Sequence, residues 1–205
     1  MPLQNRVDPY GTIFRTPARG TIMGNRGGAI HNDRHEIVRP FLSRRWITCV
    51  LEFKNRHREV MTPGRYTELF FLDEAVSLAA GHRPCAECRR ERYNAFRAAW
   101  RKAHGGLLPS ADEMDLALHP ARIDSHRAKV TWRAPLQSLP DGCFVEIESS
   151  VYLVSRDALL LWMPERYTRK IARTPMPVTV LTPRPTVGCL RQGYIAEVHP
   201  SAQTL

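Results

Sequence analysis

The chain lacks the long apolar runs of membrane proteins and the dense cysteine pattern of small secreted proteins. No stretch of its 205 residues approaches the about 20 consecutive apolar residues that cross a bilayer. Residues 1–6 contain no apolar core of a signal peptide. The five cysteines are odd in number and include one close pair, which is unlike a disulfide framework. We therefore expect a cytoplasmic protein without a membrane partner.

Acidic residues are scarce relative to basic ones. The sequence has 30 lysines and arginines against 20 aspartates and glutamates, which gives a net charge of +10. Such an excess concentrates phosphates near the surface and is typical of proteins that bind nucleic acid. Most of the cations are arginines, which suit two-point contacts with phosphates and with guanine edges. A soluble enzyme with a cationic surface is the alternative.

The clearest motif is the pair Cys85 and Cys88. Two thiols three positions apart can hold one zinc ion from the same side. A redox role is disfavoured because no thioredoxin-like pattern precedes the pair. The nearest upstream thiol, Cys49, lies on a predicted strand and supplies a third ligand. Cys143 and Cys189 each stand among apolar neighbours, and we expect them to be buried free thiols.

A histidine is the expected fourth ligand, because an imidazole nitrogen commonly completes a site with three thiolates. His57 lies in the turn that follows the predicted Cys49 strand. His31 lies beside a glycine-rich segment and would anchor that segment to the metal. We predict His31 as the ligand, and His35 and His57 remain the alternatives.

The hydrophobic pattern predicts an α+β fold. A small zinc-stapled α/β unit would span residues 1–130, and a small β-rich unit would span residues 131–205. The first forty residues show little of the hydrophobic periodicity of helices or of strands. The predicted strands are 46–53, 60–61, 143–147, 151–154 and 178–181, with a short apolar segment at 158–162. The predicted helices are 69–80, 86–104, 111–126 capped by Ser110, and a short one from Thr186 to residue 193.

Candidate nucleic-acid contacts fall in three places. The predicted helix 86–104 carries many arginines and few compensating acids. The segment 19–28 is rich in glycine, so its backbone N–H groups could converge on a phosphate, although it lacks the ending of a P-loop. Near residue 130, a tryptophan beside cations could stack on a base. A solvated helix face, an ordinary turn and a buried hinge tryptophan are the respective alternatives. The predicted contacts are Arg19, Asn25, Arg26, Arg83, Arg89, Arg90, Arg97, Arg101, Lys129 and Trp132.

One part of the sequence is similar to a known family. The residues concerned are Phe70-Phe71, Glu74-Ala75, Ala79-Ala80-Gly81 and Arg83-Pro84-Cys85-x-x-Cys88-Arg89. This segment, 70–90, resembles the Ada-type metal-binding domain, the zinc-bearing N-terminal module of bacterial alkylation-response proteins; related modules accompany nucleases. The likeness extends to 49–90 if Cys49 is included. The resemblance implies zinc, a DNA partner and a link to DNA repair.

The sequence also departs from that family. In the family, two upstream cysteines four residues apart complete a site of four thiolates, one of which accepts a methyl group from a DNA phosphotriester. If Cys49 matches the first, Phe53 stands in the place of the second, and His82 stands where the family has an aromatic residue. A zinc-bound thiolate stays nucleophilic, but a site with one cysteine replaced is less electron-rich. We therefore expect a structural zinc, and methyl acceptance by Cys49 is the lesser alternative.

The residues point to no definite catalytic group. The run 31–36 reads His-Asn-Asp-Arg-His-Glu, but an HNH nuclease needs its two histidines on separate elements. Carboxylates and bases that could serve a hydrolase are Asp8, Glu68, His119 and Asp124, with Lys129. We predict a zinc-stabilised DNA-binding protein linked to repair or processing. The alternatives are a DNA-processing hydrolase, nuclease or glycosylase-like, with a structural zinc, and an RNA-binding protein.

Overall fold

The computed structural model describes residues 1–55 and 59–205. In this part of the chain, four α-helices accompany two six-stranded sheets, so the predicted α+β class is confirmed. No helix of the described residues is long and apolar enough to cross a membrane.

The N-terminal sheet is mixed. Its strands are β1 (Gln4–Val7), β2 (Ile13–Arg15), β3 (Ile22–Arg26), β4 (Trp46–Cys49), β5 (Leu69–Phe71) and β6 (Arg83–Pro84). They lie in the order β2-β1-β5-β3-β4-β6, with parallel pairs β1–β5 and β4–β6.

The C-terminal sheet consists of β7 (Trp132–Pro135), β8 (Phe144–Ile147), β9 (Ser150–Ser155), β10 (Ala158–Trp162), β11 (Tyr167–Ala172) and β12 (Pro177–Val180). It is antiparallel throughout, in the order β11-β10-β9-β8-β12-β7. A tight turn joins β8 to β9, and its residues Glu148 and Ser149 both have positive φ, 48° and 61°, as a two-residue hairpin turn of type I′ requires.

The helices are α1 (Glu74–Ala79), α2 (Arg90–His104), α3 (Ala111–Arg122) and α4 (Arg184–Arg191). Ser110 caps α3 as predicted, and it forms a reciprocal capping box with Glu113. α3 continues through Pro120 and ends at Arg122, four residues before its predicted end.

Several predicted elements need correction. The predicted helix 69–80 is strand β5 followed by α1, because residues 69–71 pair with both β1 and β3. Half of the glycine-rich segment 19–28 is strand β3 rather than an open loop. Residues 60–61 form a turn, not a strand. Thr186 lies inside α4 instead of capping it.

The C-terminal sheet forms the middle layer of the molecule, because both of its faces are buried. Val145 and Val154 belong to an apolar cluster shared with α2, α3 and α4. Phe144 and Leu153 point the other way, into a second cluster shared with α1 and the N-terminal sheet. Both clusters combine residues from either side of position 130, so the predicted division into units 1–130 and 131–205 is not confirmed.

Candidate functional site

The structure brings three thiols together at one edge of the N-terminal sheet. Cys49 ends β4, Cys85 directly follows β6, and Cys88 lies in the turn before α2. The Cys85 backbone N–H donates to the Thr48 carbonyl at 2.9 Å, which extends the parallel pairing of β4 with β6. The three sulfur atoms lie within 4.8 Å of one another. The predicted trio therefore forms a group that could hold a metal ion.

The thiols act on one another's ionisation. Hydrogen bonds from Cys49 and Cys88 lower the pKa of the Cys85 thiol, while donating to its neighbours raises the pKa of Cys49. When one of the three thiols is ionised, the other two stabilise its negative charge by hydrogen bonding. When all three are ionised, the thiolates repel one another. A soft divalent cation such as zinc removes that repulsion, and thiolate is a ligand that it favours.

No fourth histidine, cysteine or carboxylate of the described residues joins the thiol group, so the prediction of His31 as the fourth ligand is not confirmed. The His31 Nδ1 lies 2.6 Å from the Thr67 hydroxyl, and its ring faces His35 with 6.4 Å between centroids. In this structure His31 is not a member of the group formed by the three thiols. The alternative His57 lies outside the described residues.

Two of the predicted nucleic-acid contacts are buried ion pairs instead. Arg83 makes two hydrogen bonds to the Asp115 carboxylate, at 2.9 and 2.6 Å. Arg89 contacts Glu74 at 2.7 Å and Glu197 at 2.5 Å. Both arginine side chains are only 4% exposed. They are committed to internal carboxylates, so they do not present charge to a phosphate.

The remaining predicted contacts are scattered over the molecule. Arg97 donates to the Pro109 carbonyl at 2.6 Å. Asn25 accepts from the Gly27 backbone N–H at 3.1 Å, on half-buried β3. The exposed members of the predicted set are Arg19, Arg90 and Arg101.

Trp132 does not form the predicted patch with Lys129. Its indole N–H donates to the Thr182 carbonyl at 3.0 Å, and Arg184 lies over its ring at 4.1 Å. Trp132 therefore belongs to the edge of the C-terminal sheet, whereas Lys129 lines a cavity on the N-terminal side.

Two buried arginines meet around one tryptophan in that N-terminal part. Arg26 is 2% exposed and donates to the Gly11 carbonyl at 2.8 Å. Arg122 is fully buried and donates to the Gly81 carbonyl at 2.8 Å. Both guanidinium groups lie over the indole of Trp46, at 4.0 and 4.1 Å from the ring centroid. Carbonyls and the ring face hold these cations, but they do not neutralise them.

A cavity of about 490 Å³ opens beside this cluster. Arg26, Arg122 and Lys129 line it from within, and the exposed Arg39 and Arg127 line its rim. None of the described residues that line the cavity is acidic. We call this feature the cationic cavity.

Burial disfavours the charged form of each cation in the cavity. It lowers the pKa of Arg26 to about 9, and burial together with nearby arginines lowers the pKa of Arg122 to about 9 and that of Lys129 to about 7. Two carboxylates outside the lining offset part of this effect, because Asp8 raises the pKa of Arg26 and Lys129 and Asp115 raises the pKa of Arg122. Both guanidinium groups stay protonated at pH 7. Burying cations without an acidic partner is unfavourable, and an anion in the cavity would relieve it.

The short connection from α1 to β6 joins the cavity to the thiol group. Gly81 has φ 92°, and a Cβ there would come within 2.7 Å of the Arg122 side chain. The next residue, His82, is buried among Arg26, Trp46 and Phe71, and its Nε2 accepts from Arg26 Nε at 3.4 Å. Burial and the nearby arginines hold the pKa of His82 well below its usual value. The imidazole is therefore neutral and can accept this hydrogen bond.

Lys129→Met is expected to stabilise the protein below pH 7, by roughly 3 kcal/mol after allowance for its half-buried position. The folded-state pKa is about 7 against 10.5 for the free side chain. Between these values the unfolded chain binds a proton that the folded chain does not, so this contribution to stability rises with pH. The stabilisation by Lys129→Met should thus vanish above pH 10.5.

Urea unfolding in phosphate-free buffer at several pH values measures this difference. Lys170→Met, on the exposed strand β11, is the matched control. A stability difference at Lys129 that does not change with pH would contradict the prediction.

Two of the catalytic candidates lie near the cationic cavity. Asp8 is close enough to influence Lys129, and burial raises its pKa. His119 packs edge-on against Phe41, a lining residue, with 5.4 Å between centroids. The structure thus brings Asp8, His119 and Lys129 to one region.

The other two candidates have local structural contacts. Glu68 is 4% exposed and accepts from the Met61 backbone N–H at 2.9 Å. Asp124 accepts from the backbone N–H groups of His126 and Ala128, each at 2.9 Å. Neither residue lines the cationic cavity.

The thiol group and the cationic cavity are thus the two candidate sites, and the resemblance to the Ada-type domain stays a prediction. Comparison with protein-family models, with curated proteins and with solved structures finds no match for this chain.

Proposed function

We propose that the protein binds nucleic acid, with DNA as the favoured partner, through the cationic cavity and its arginine rim. The observation that carries this proposal is the cavity itself, in which Arg26, Arg122 and Lys129 meet with no acid among the described lining residues. The net charge of +10 adds a long-range attraction for a polyanion. Half-buried aromatic residues at the cavity, Tyr10 and Phe41, supply rings on which a base can stack.

Zinc at Cys49, Cys85 and Cys88 is the structural part of the proposal. β6 has only two residues, too few hydrogen bonds to fix its place alone. A metal ion shared by the end of β4 and the start of α2 would hold it there. The Gly81 and His82 contacts with the cavity arginines depend on that placement. The metal would therefore support the cavity without taking part in chemistry.

DNA is favoured over RNA by the resemblance of residues 70–90 to the Ada-type domain, which also motivates the link to repair or processing. A competition between DNA and RNA strands of equal length and sequence tests this preference. Stronger competition by RNA would assign the protein to the RNA-binding class instead.

Binding to a fluorescent 20-nucleotide DNA is expected to weaken by more than about tenfold between about 50 and about 200 mM salt, because bound phosphates release counterions. The double variant Arg39→Ala/Arg127→Ala should weaken binding and reduce the salt slope by about 0.7 to 0.9 for each lost phosphate contact. Fluorescence anisotropy measures both quantities.

The control is Arg169→Ala on β11, an exposed arginine of the C-terminal sheet. Its salt slope should equal that of the unaltered protein. Affinity that does not change with salt, or an equal loss in the control, would contradict the proposal.

A DNA-processing hydrolase is the second candidate, and it is supported by the position of Asp8, His119 and Lys129 at or beside the cavity. The hydrolase can be distinguished from a protein that only binds nucleic acid by incubation with plasmid and with base-damaged oligonucleotides, with and without magnesium. A cleaved strand or an abasic product would assign the enzyme class.

A further inference from the structure

The charge of the cationic cavity is greatest where solvent access is least. Arg122 is fully buried and Arg26 is 2% exposed, whereas Arg39 and Arg127 at the rim are exposed. An internal phosphodiester is flanked by sugar on both sides, so it reaches a rim more easily than a buried wall. A phosphate at the end of a strand has one free side and can enter more deeply.

The amount of charge also fits a terminal phosphate. Arg26 and Arg122 bring two positive charges to the wall, and Lys129, whose pKa is about 7, is partly protonated at pH 7. Asp8 outside the lining offsets part of this charge, and Asp115, which acts on Arg122, is itself paired with Arg83. A phosphomonoester carries about −1.5 to −2 at pH 7, and a phosphodiester carries one negative charge. The net positive charge of the cavity wall therefore matches a phosphomonoester better than a phosphodiester.

Both buried guanidinium groups have N–H donors that no described residue uses. Arg26 uses donors on the carbonyls of Gly11 and Pro40 and on His82. The Nε of Arg122 is buried and has no hydrogen-bond partner among the described residues. Each guanidinium has about five N–H donors in a planar fork that fits phosphate oxygens, so unused donors remain in both.

The mouth of the cavity suits a nucleobase. Phe41 is half-buried and lines the cavity, and the exposed Arg127 lies over its ring at 5.8 Å. Tyr10 is a second half-buried lining aromatic. A volume of about 490 Å³ lies within the range of about 300–1,000 Å³ in which small-molecule sites fall. The space therefore exceeds what a bare phosphate needs.

We infer that the cationic cavity binds the terminal phosphomonoester of a nucleic-acid strand, with the phosphate toward Arg26, Arg122 and Lys129 and the first base against Phe41 at the mouth. This inference rests on the proposed function and narrows it from a general nucleic-acid contact to recognition of a phosphorylated end. A free nucleoside monophosphate presents the same chemistry and is the second source of such a ligand.

The test compares 12-nucleotide DNA strands that differ only at one end: 5′-phosphate, 3′-phosphate and unphosphorylated. At about 150 mM salt, one phosphorylated strand is expected to bind at least about tenfold more tightly than the unphosphorylated strand. Deoxyadenosine monophosphate should compete with it, and deoxyadenosine should not. Lys129→Met and Phe41→Ala should each reduce the preference for the phosphorylated end by about fivefold or more. Arg169→Ala should leave it unchanged, and far-ultraviolet circular dichroism checks that every variant is folded.

Each of three alternative outcomes would contradict a different part of the proposal. Equal, salt-sensitive binding of all three strands would overturn the inference and leave the proposed function in place. Binding of the monophosphate without binding of any strand would assign the cavity to a free nucleotide, and it would overturn both the recognition of a strand end and the proposed function. Equal competition by inorganic phosphate and by the monophosphate would overturn the placement of the base at Phe41.

Discussion

Cys85→Ser is expected to release the metal ion and to unfold the connection between β6 and α2. Cys85 directly follows a strand of two residues and is the thiol to which Cys49 and Cys88 both donate. Structural zinc sites have apparent binding free energies of about 10–16 kcal/mol, comparable to the whole stability of about 5–15 kcal/mol of a typical domain. We therefore expect a loss of about 5 kcal/mol or more.

Metal content by mass spectrometry should fall from about one equivalent to near zero, and the thermal midpoint should drop by about 10 °C or more. Cys143→Ala is the matched control, because Cys143 is buried in the apolar core and is not part of the thiol group. It should lose some stability but keep its metal. A full equivalent of zinc in Cys85→Ser would refute the assignment of this ligand.

Glu74→Ala is expected to cost about 3–5 kcal/mol, because it removes one partner of a buried ion pair. The Glu74 side chain is completely buried and accepts hydrogen bonds from Arg89 at 2.7 Å and from the Tyr194 hydroxyl at 2.6 Å. It also pairs with Arg92 and accepts from the Glu197 backbone N–H at 2.9 Å. Without the carboxylate, Arg89 and the Tyr194 hydroxyl remain buried and lose this acceptor.

Urea unfolding measures the effect. Glu113→Ala provides the comparison, because Glu113 is an exposed glutamate whose capping box contributes only about 1 kcal/mol. Glu74→Gln should fall between the two, since the amide keeps one acceptor oxygen but loses the charge. A Glu74→Ala variant no less stable than Glu113→Ala would show that the pair contributes little.

The thiol group could be predicted because two of its members form a short sequence motif and the third lies on a recognisable strand. Cys85 and Cys88 are three positions apart, and Cys49 lies in an apolar run that reads as a strand. The α+β class followed from the same reading of hydrophobic periodicity. By contrast, strands β1 to β3 lie in sequence rich in glycine, arginine and proline, where no alternation marks them. Strand β5 was hidden because its three residues continue the apolar pattern of α1.

The cationic cavity was beyond prediction because its residues meet only in the folded chain. Arg26, Trp46 and Arg122 come from β3, β4 and the end of α3, and no short-range pattern links them. The same reason explains the error at Arg83 and Arg89. Both stand in a basic run that reads as a solvated or phosphate-binding face, whereas their carboxylate partners lie on other elements.

The hydrogen bonds to Asp73 and Glu74 also set an order of events during synthesis. Asp73 caps α1 and accepts from the Tyr167 hydroxyl at 2.7 Å and from the His199 backbone N–H at 2.9 Å. His199 follows Asp73 by 126 residues, which a ribosome adds in about 6–25 s at 5–20 residues per second. Until then, these carboxylates lack their final donors, and the apolar cluster around α1 lacks later residues such as Phe144, Leu153 and Leu181. The three thiols, all within the first 88 residues, could by contrast meet before the C-terminal sheet has been synthesised.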